Sequence, residues 1–539
     1  MVNKLPPEIL VHIFWLLQEK TYWFELGEDE QDSDVPWIQI TWVCQRWRSV
    51  ALSAPALWTT ISASYRCPAG RAPYGATWVS AFLERSAKML LEVGIEILHA
   101  DDFVRRDTLA LLYLNGTRIR TLVLDTQGDC GVPCRLESLT NSIENMAFLE
   151  NFQLIQEHPP AEGNEPWIVR LHVLPRLRSV NMSATHFPWG WRFGSMSLRA
   201  LTLTATYRRP SINHFIGFLQ RCPALESLSL DDCLPIAPER TVATWCALAI
   251  ACLPKLAELY VWDTLEEVRF ICDSIEVPST CFINLRANAD GLLDDDPGSH
   301  PIRLFIPLPC GFYSLYHSAR SLMFSEAPYP FLSLSAKDSD PGILNDAWGI
   351  PKAAGRMLMS LGDLDGRTLW PPEPELWTKL WESFSPAPLS FLALRSRTFL
   401  DISEDMWHTC FAQLPSLQTI VLYGRENPST LENAARIPEN ERQGVDFLNS
   451  FLHALSPRRN QDGEAGQRCA TLRRIELHNL PLFDSSAACA VGCALRRRAE
   501  RGLRVQEVCF NNCYFYEDVG VDIDVFKRRF EESTIISIA

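Results

Sequence analysis

Pro223-Ala224-Leu225-Glu226-Ser227-Leu228-Ser229-Leu230-Asp231-Asp232-Cys233 carries a pattern that recurs along most of the chain. Leu228 and Leu230 alternate, so both point to one face of a short strand while Ser229 points to the other. The same phase returns at Pro254/Leu256/Leu259/Val261, Pro175/Leu177/Val180/Met182 and Pro415/Leu417/Ile420/Leu422. Without the proline it fits Ile119/Leu122/Leu124, Leu149/Phe152/Leu154, Leu198/Leu201/Leu203, Leu389/Leu392/Leu394, Leu472/Ile475/Leu477 and Val505/Val508/Phe510, which makes ten copies. Early copies begin roughly 21 to 31 residues apart, the spacing of stacked repeats with one strand each. Before many strands lies a helical pattern, as in Ile212/Phe215/Phe218/Leu219 and Phe447/Leu448/Phe451/Leu452/Leu455. Such helices bridge to the next parallel strand from the outer side. No unit buries its apolar face alone, so stacking is compulsory. The intervening strand positions, such as Gln153, Thr202, Ser229 and Glu476, are polar or small and face the opposite, concave surface.

The period and phase resemble a degenerate leucine-rich repeat. Cys233 and Cys513 fall where that consensus places Asn or Cys after the strand, and a small buried side chain there helps bond neighbouring turns. Thr185 and Thr264 stand at this position in other copies. The expected fold class is therefore α/β, a solenoid of parallel strands and outer helices spanning residues 91–539. Its middle, 265–386, is expected to be irregular. Within it, Cys281-Phe282-Ile283-Asn284-Leu285-Arg286-Ala287 and Ala319-Arg320-Ser321-Leu322-Met323-Phe324 read as decayed copies. Segments 290–300, 337–342, 362–374, 424–443 and 456–467 read as loops or insertions. The end, 525–539, reads as a helix and a short apolar strand that cap the last repeat.

The N-terminus is different. Leu5-Pro6-Pro7-Glu8-Ile9-Leu10-Val11-His12-Ile13-Phe14 begins with prolines tolerated in a first helical turn and continues with apolar residues at helical spacing. A second helix carries Ile40, Val43, Cys44 and Trp47 on one stripe, and Pro55-Ala56-Leu57-Trp58 signals a third. Three short helices bury little surface alone, so this face either closes on the neighbouring domain or serves a partner. In order and spacing the three signatures resemble an F-box, covering residues 1–63. The resemblance implies docking on the Skp-type adaptor of a cullin-RING ubiquitin ligase. By motif position, Leu5, Pro6, Ile9, Leu10, Ile13 and Phe14 meet the adaptor from the first helix, Val43, Cys44 and Trp47 from the second, and Leu57 and Trp58 from the third. The insert from Gln18 to Pro36, with its acidic run Glu28-Asp29-Glu30-Gln31-Asp32, departs from the common pattern and is similar to inserts in fungal-type F-box proteins. Residues 64–90 read as a linker followed by a helix.

Composition limits the alternatives. At 539 residues with 47% hydrophobic and 21% charged residues, the chain is globular. A net charge of −15 disfavours a nucleic-acid surface. No apolar run reaches the eighteen or so residues that span a bilayer, and the start lacks a signal-peptide layout, so a cytoplasmic or nuclear location is expected. The seventeen cysteines then read as reduced. Cys130/Cys134, Cys489/Cys493 and Cys509/Cys513 have a metal-like gap but no completing pair, and read as structural thiols. Asp101-Asp102 and Asp294-Asp295-Asp296 read as solvated loops, and Arg496-Arg497-Arg498 with Arg501 and Arg504 as a solvated helix face. Trp189 and Trp191 read as packing between repeats ahead of a rim contact.

No phosphate loop, dinucleotide fingerprint, nucleophile elbow or zincin motif is present in the sequence, so no catalytic residue, cofactor or metal is expected. The chain reads as the substrate-recognition subunit of a Skp-cullin-F-box ligase, with the repeat domain binding a target protein whose identity the sequence does not carry. The alternative is an interaction scaffold without a role in ubiquitin transfer. An enzyme rests only on the unassigned middle.

Overall fold

The computed structural model describes residues 5–19, 36–65, 76–97, 110–126, 143, 145–156, 174–189, 197–206, 208–236, 250–288, 312–325, 331–335, 343–345, 351–353, 357–362, 374–395, 402–423, 450–455, 470–478, 481–482, 485–511, 513–515 and 535–538. The chain divides into two compact units, Met1–Ile236 with Ala251–Lys255, and Leu256–Ala539 with Ala237–Ile250.

The first unit opens with helices α1 (Pro7–Glu19), α2 (Ile40–Val43) and α3 (Gln45–Ser53), followed by a 3-10 turn, Pro55–Trp58. The second helix of the sequence reading is in fact two. Cys44 is extended (φ −161°, ψ 165°) and its sulfur accepts the Trp47 N–H at 3.4 Å, so a capping thiol breaks the stripe.

A parallel sheet follows in chain order: β1 (Thr60–Tyr65), β2 (Leu91–Ile97), β3 (Ile119–Thr126), β4 (Asn151–Gln156), β5 (Ser179–Ser183), β6 (Ala200–Thr204) and β7 (Ser227–Asp231). Helices α4 (Ala76–Arg85) and α5 (Ile212–Gln220) lie between strands of this unit. Strand register builds continuous apolar rows. One row runs Ile61, Val93, Leu122, Phe152, Val180, Leu201, Leu228, and another Ile95, Leu124, Leu154, Met182, Leu203, Leu230. Every member is at most 1% exposed, so each contributes about 1.5–3 kcal/mol of transfer free energy. The sheet starts at Thr60, inside the stretch expected to be helical unit and linker. The register explains why: Ile61 is the first member of a buried row.

The turns after β5, β6 and β7 share one device. Ala184, Ala205 and Asp232 take left-handed φ values of 49°, 50° and 47°. The Ala184 N–H donates to the Thr204 carbonyl and the Ala205 N–H to that of Asp231, which ties each turn to the next. The Cys233 thiol donates to the Leu203 carbonyl at 3.7 Å, bonding neighbouring turns as the repeat pattern implies.

The second unit holds β8 (Glu258–Thr264), α6 (Leu265–Ser274), β9 (Phe282–Asn288), α7 (Tyr313–Ser318), β10 (Ser321–Ser325), β11 (Phe331–Ser335) and β12 (Met357–Gly362). After these come α8 (Pro374–Phe384), β13 (Phe391–Arg395), α9 (Glu404–Gln413), β14 (Thr419–Tyr423), β15 (Arg474–His478), α10 (Ser485–Ala499), β16 (Glu507–Asn511) and β17 (Ile535–Ile538). In this unit the strands leave chain order. β9 pairs with β8 and, on its other edge, with β12, both parallel. β12 pairs antiparallel with β11, β11 antiparallel with β10, and β10 parallel with β13. From β13 to β17 the order is again sequential and parallel. The described part of 265–386 stays within a sheet but departs from the sequential parallel order of the repeats. β9 and β10 are the two decayed copies, and a hairpin with a returning strand fills the place between them.

Aromatics line the outer helices of this unit. Trp377 stacks on Trp381 at 5.3 Å within α8, and Trp407 of α9 meets Phe451 of the following helical segment edge-on at 4.9 Å. Such pairs add about 0.5–1.5 kcal/mol beyond burial. β17 is the short apolar strand expected at the C-terminal end; the helix expected before it lies outside the described residues.

Candidate functional site

The N-terminal helices sort the expected docking residues into two groups. Leu10, Phe14 and Leu57 are 0% exposed and Trp58 is 2% exposed, so they hold this unit together. The cause is local: Phe14 packs on Trp47 at 5.2 Å, and Trp58 packs edge-on against Phe82 of α4 at 4.9 Å while its indole N–H donates to the Ala51 carbonyl at 2.8 Å. Arg85 lies 4.5 Å over the Trp58 ring. A partner meeting this surface as it stands touches none of these four side chains. Ile9, at 47%, Val43, at 61%, and Pro6 are exposed; Leu5, Ile13, Cys44 and Trp47 are half-buried.

The same helices carry further exposed apolar side chains absent from the sequence-based set: Trp15, Leu16 and Leu17 on α1, Trp42 on α2 and Leu52 on α3. Trp42 is 69% exposed. Helical spacing carries the signal for Leu16, seven residues after Ile9 and so on the same stripe of α1. Nothing in the sequence distinguishes Trp42 from Ile40, which is buried. The face is held in place by polar ties, the Arg46 guanidinium to the Leu5 carbonyl and the Gln18 amide to the Leu57 carbonyl.

The sheet faces opposite the buried rows are the second candidate surface. In the first unit the outward row Gln153, Asn181, Thr202, Ser229 is polar, uncharged and half-exposed. In the second unit the corresponding row is apolar over β13 and β14, where Ala393 and Val421 are at most 1% exposed, so those strands are buried on both faces. Further on, Tyr423, His478 and Asn511 stand in register. Tyr423 and His478 stack at 4.5 Å, and the His478 ring bonds Glu476 at 3.1 Å. That bond and the Arg474 guanidinium hold the Glu476 carboxyl below the usual carboxylate range, against its burial. Tyr260 and Trp262 of β8 are exposed aromatics of this face.

Among the described residues no cluster of His, Cys, Asp or Glu is able to hold a metal ion. The described cysteines carry no disulfide, and burial pushes the Cys222 and Cys281 thiols up to about 12. The Cys513 thiol donates to the Leu477 carbonyl at 3.2 Å, across to the preceding turn. Cys130, Cys134, the two acidic loops and Trp191 lie outside the described residues. Trp189 is 4% exposed, packed against Phe187, Phe215 and Phe218. The basic run is not wholly solvated. Arg498 is 2% exposed and donates to the carbonyls of Leu455 and Leu503, closing the end of α10, whereas Arg496 and Arg497 face solvent.

No protein-family model matches the chain, and no curated protein matches it. Among solved structures, one in the "Structure of the Toll - Spatzle complex, a molecular hub in Drosophila development and innate immunity" aligns with a TM-score of 0.26 at 12% identity. The alignment covers 85% of this chain and 57% of that chain, a likeness too weak to carry an argument. Among the described residues no helix is long and apolar enough to cross a membrane.

Proposed function

We propose that the chain is the substrate receptor of a Skp-cullin ubiquitin ligase, working in the cytoplasm or nucleus. In this role the N-terminal helices act as an F-box that docks on the Skp-type adaptor and through it on a cullin, while the leucine-rich-repeat-like sheet presents a target protein. The observation that carries the proposal is the exposed apolar face of α1 to α3. Ile9, Leu16, Leu17, Trp42 and Val43 all remain in water although Leu10, Phe14, Leu57 and Trp58 already close the unit internally. Several large exposed apolar side chains within one small helical unit support an interaction surface there. The chain makes and breaks no bonds in this role. It raises the effective concentration of the target beside a ubiquitin-loaded enzyme.

The test is capture of the purified adaptor by the full chain and by Ile9→Asp with Val43→Asp. Wild type is expected to capture it and the double variant to lose it while melting normally. Failure of wild type, or unimpaired capture by the variant, overturns the proposal. A scaffold without ligase function is separated by half-lives. Proteins bound by the chain should persist longer when the same two substitutions are introduced in cells, and unchanged half-lives identify a scaffold.

A further inference from the structure

On the open face of the second unit, Glu258, Tyr260 and Trp262 of β8 lie beside Phe282, Asn284 and Arg286 of β9, pair by pair in register. Tyr260 is 37% and Trp262 45% exposed, while Leu259 and Val261 between and beside them are at most 2% exposed. The buried alternation sets the strand, so these two rings are not needed for the core. They are nonetheless pre-arranged: Tyr260 lies 5.7 Å from the Phe282 ring, and the Arg286 guanidinium stands 5.8 Å from the centre of Trp262. Tyr, Trp and Arg are the side chains that dominate interface energetics.

The two ends of this platform differ in charge. Glu258 marks one end and Arg286, opposite Trp262, the other. Four residues along a strand separate them by about 13 Å at ~3.3 Å per residue. We infer that the platform receives an extended segment of a partner protein carrying side chains of opposite charge at positions i and i+4 and an apolar side chain at i+2. An extended chain turns i, i+2 and i+4 to one side with the same rise. Its carboxylate then meets Arg286, its ammonium meets Glu258, and its central side chain covers Tyr260 and Trp262. A nucleic-acid strand is anionic at every phosphate, so Glu258 and the net charge of −15 oppose it. The inference rests on the reading that the sheet presents a target, and it names the chemistry of that target's docking segment.

Three fluorescein-labelled peptides, Lys-Thr-Leu-Thr-Glu, Glu-Thr-Leu-Thr-Glu and Lys-Thr-Leu-Thr-Lys, titrated against the full chain by fluorescence anisotropy, test it. The mixed-charge peptide is expected to bind at least about tenfold more tightly than either like-charged one. Trp262→Ala should weaken it by at least about tenfold, and Arg286→Glu should transfer the preference to Lys-Thr-Leu-Thr-Lys. That transfer is not mimicked by unfolding. Equal binding of the three, no binding up to millimolar concentration, or a preference that survives Arg286→Glu overturns the inference. Adaptor capture by the same preparations separates the failures: intact capture without charge preference removes this inference alone.

Discussion

Trp42→Ala separates docking from folding. The Trp42 side chain is 69% exposed. A tryptophan presents up to about 250 Å², so about 170 Å² remains to be covered by a partner, with a gross gain near 4 kcal/mol at ~25 cal/mol per Å². Ordering and desolvation offset part of that, and truncating an interface anchor typically loses 2 kcal/mol or more, about 30-fold in affinity. The same substitution removes little from the fold and should change stability by no more than about 0.5 kcal/mol. Leu10→Ala is the contrast. Leu10 is 0% exposed, and its truncation is expected to cost about 2–5 kcal/mol of stability. Titration calorimetry with the purified Skp-type adaptor, beside thermal melts of both variants, gives the two quantities. Unchanged affinity of a normally melting Trp42→Ala chain removes Trp42 from the docking face. A melting temperature lowered as far as that of Leu10→Ala contradicts its exposed position.

Other expectations follow from single sites. Phe152→Ala empties a position shared by neighbouring strands of the first unit and should destabilise by about 3–5 kcal/mol in denaturant titration; a loss under 1 kcal/mol contradicts the stacked rows. In native protein, iodoacetamide should label the exposed Cys252 and Cys493 well before the buried Cys222, Cys272 and Cys281, as read by peptide mass spectrometry; equal labelling speaks against the buried thiols. Glu476 has a depressed carboxyl pKa, chiefly through its bond to His478, so its pairing adds stability above the unfolded carboxylate range and loses it as pH falls through the folded value. Glu476→Gln should therefore melt lower than wild type at neutral pH, with the difference shrinking as the medium becomes acidic. A gap that is constant from neutral to strongly acidic pH counts against this linkage.

The strands were legible because two constraints coincide in them. In Leu225/Leu228/Leu230 and its relatives the alternation of a strand and the demand for burial fall on the same residues, and every such triad is inside. Spatial order was not legible. β11 and β12 lack the leading Leu or Pro-x-Leu phase, and nothing in a linear pattern says that β12 returns to lie beside β9. The N-terminal helices were legible as amphipathic elements, but the inward setting of Trp58 depended on α4, whose Phe82 packs against it. The Cys44 cap and the inward Arg498 escaped because a thiol and a guanidinium took backbone roles that any of several neighbours had the chemistry to fill.

In the proposed role the N-terminal face is a plug for another polypeptide. Its most direct test is size-exclusion chromatography with light scattering of the wild-type chain mixed with an equimolar Skp-type adaptor at micromolar concentration. One peak is expected, with the mass of both chains together. Elution of the 61.2 kDa chain by itself, with the adaptor in a separate peak, contradicts it.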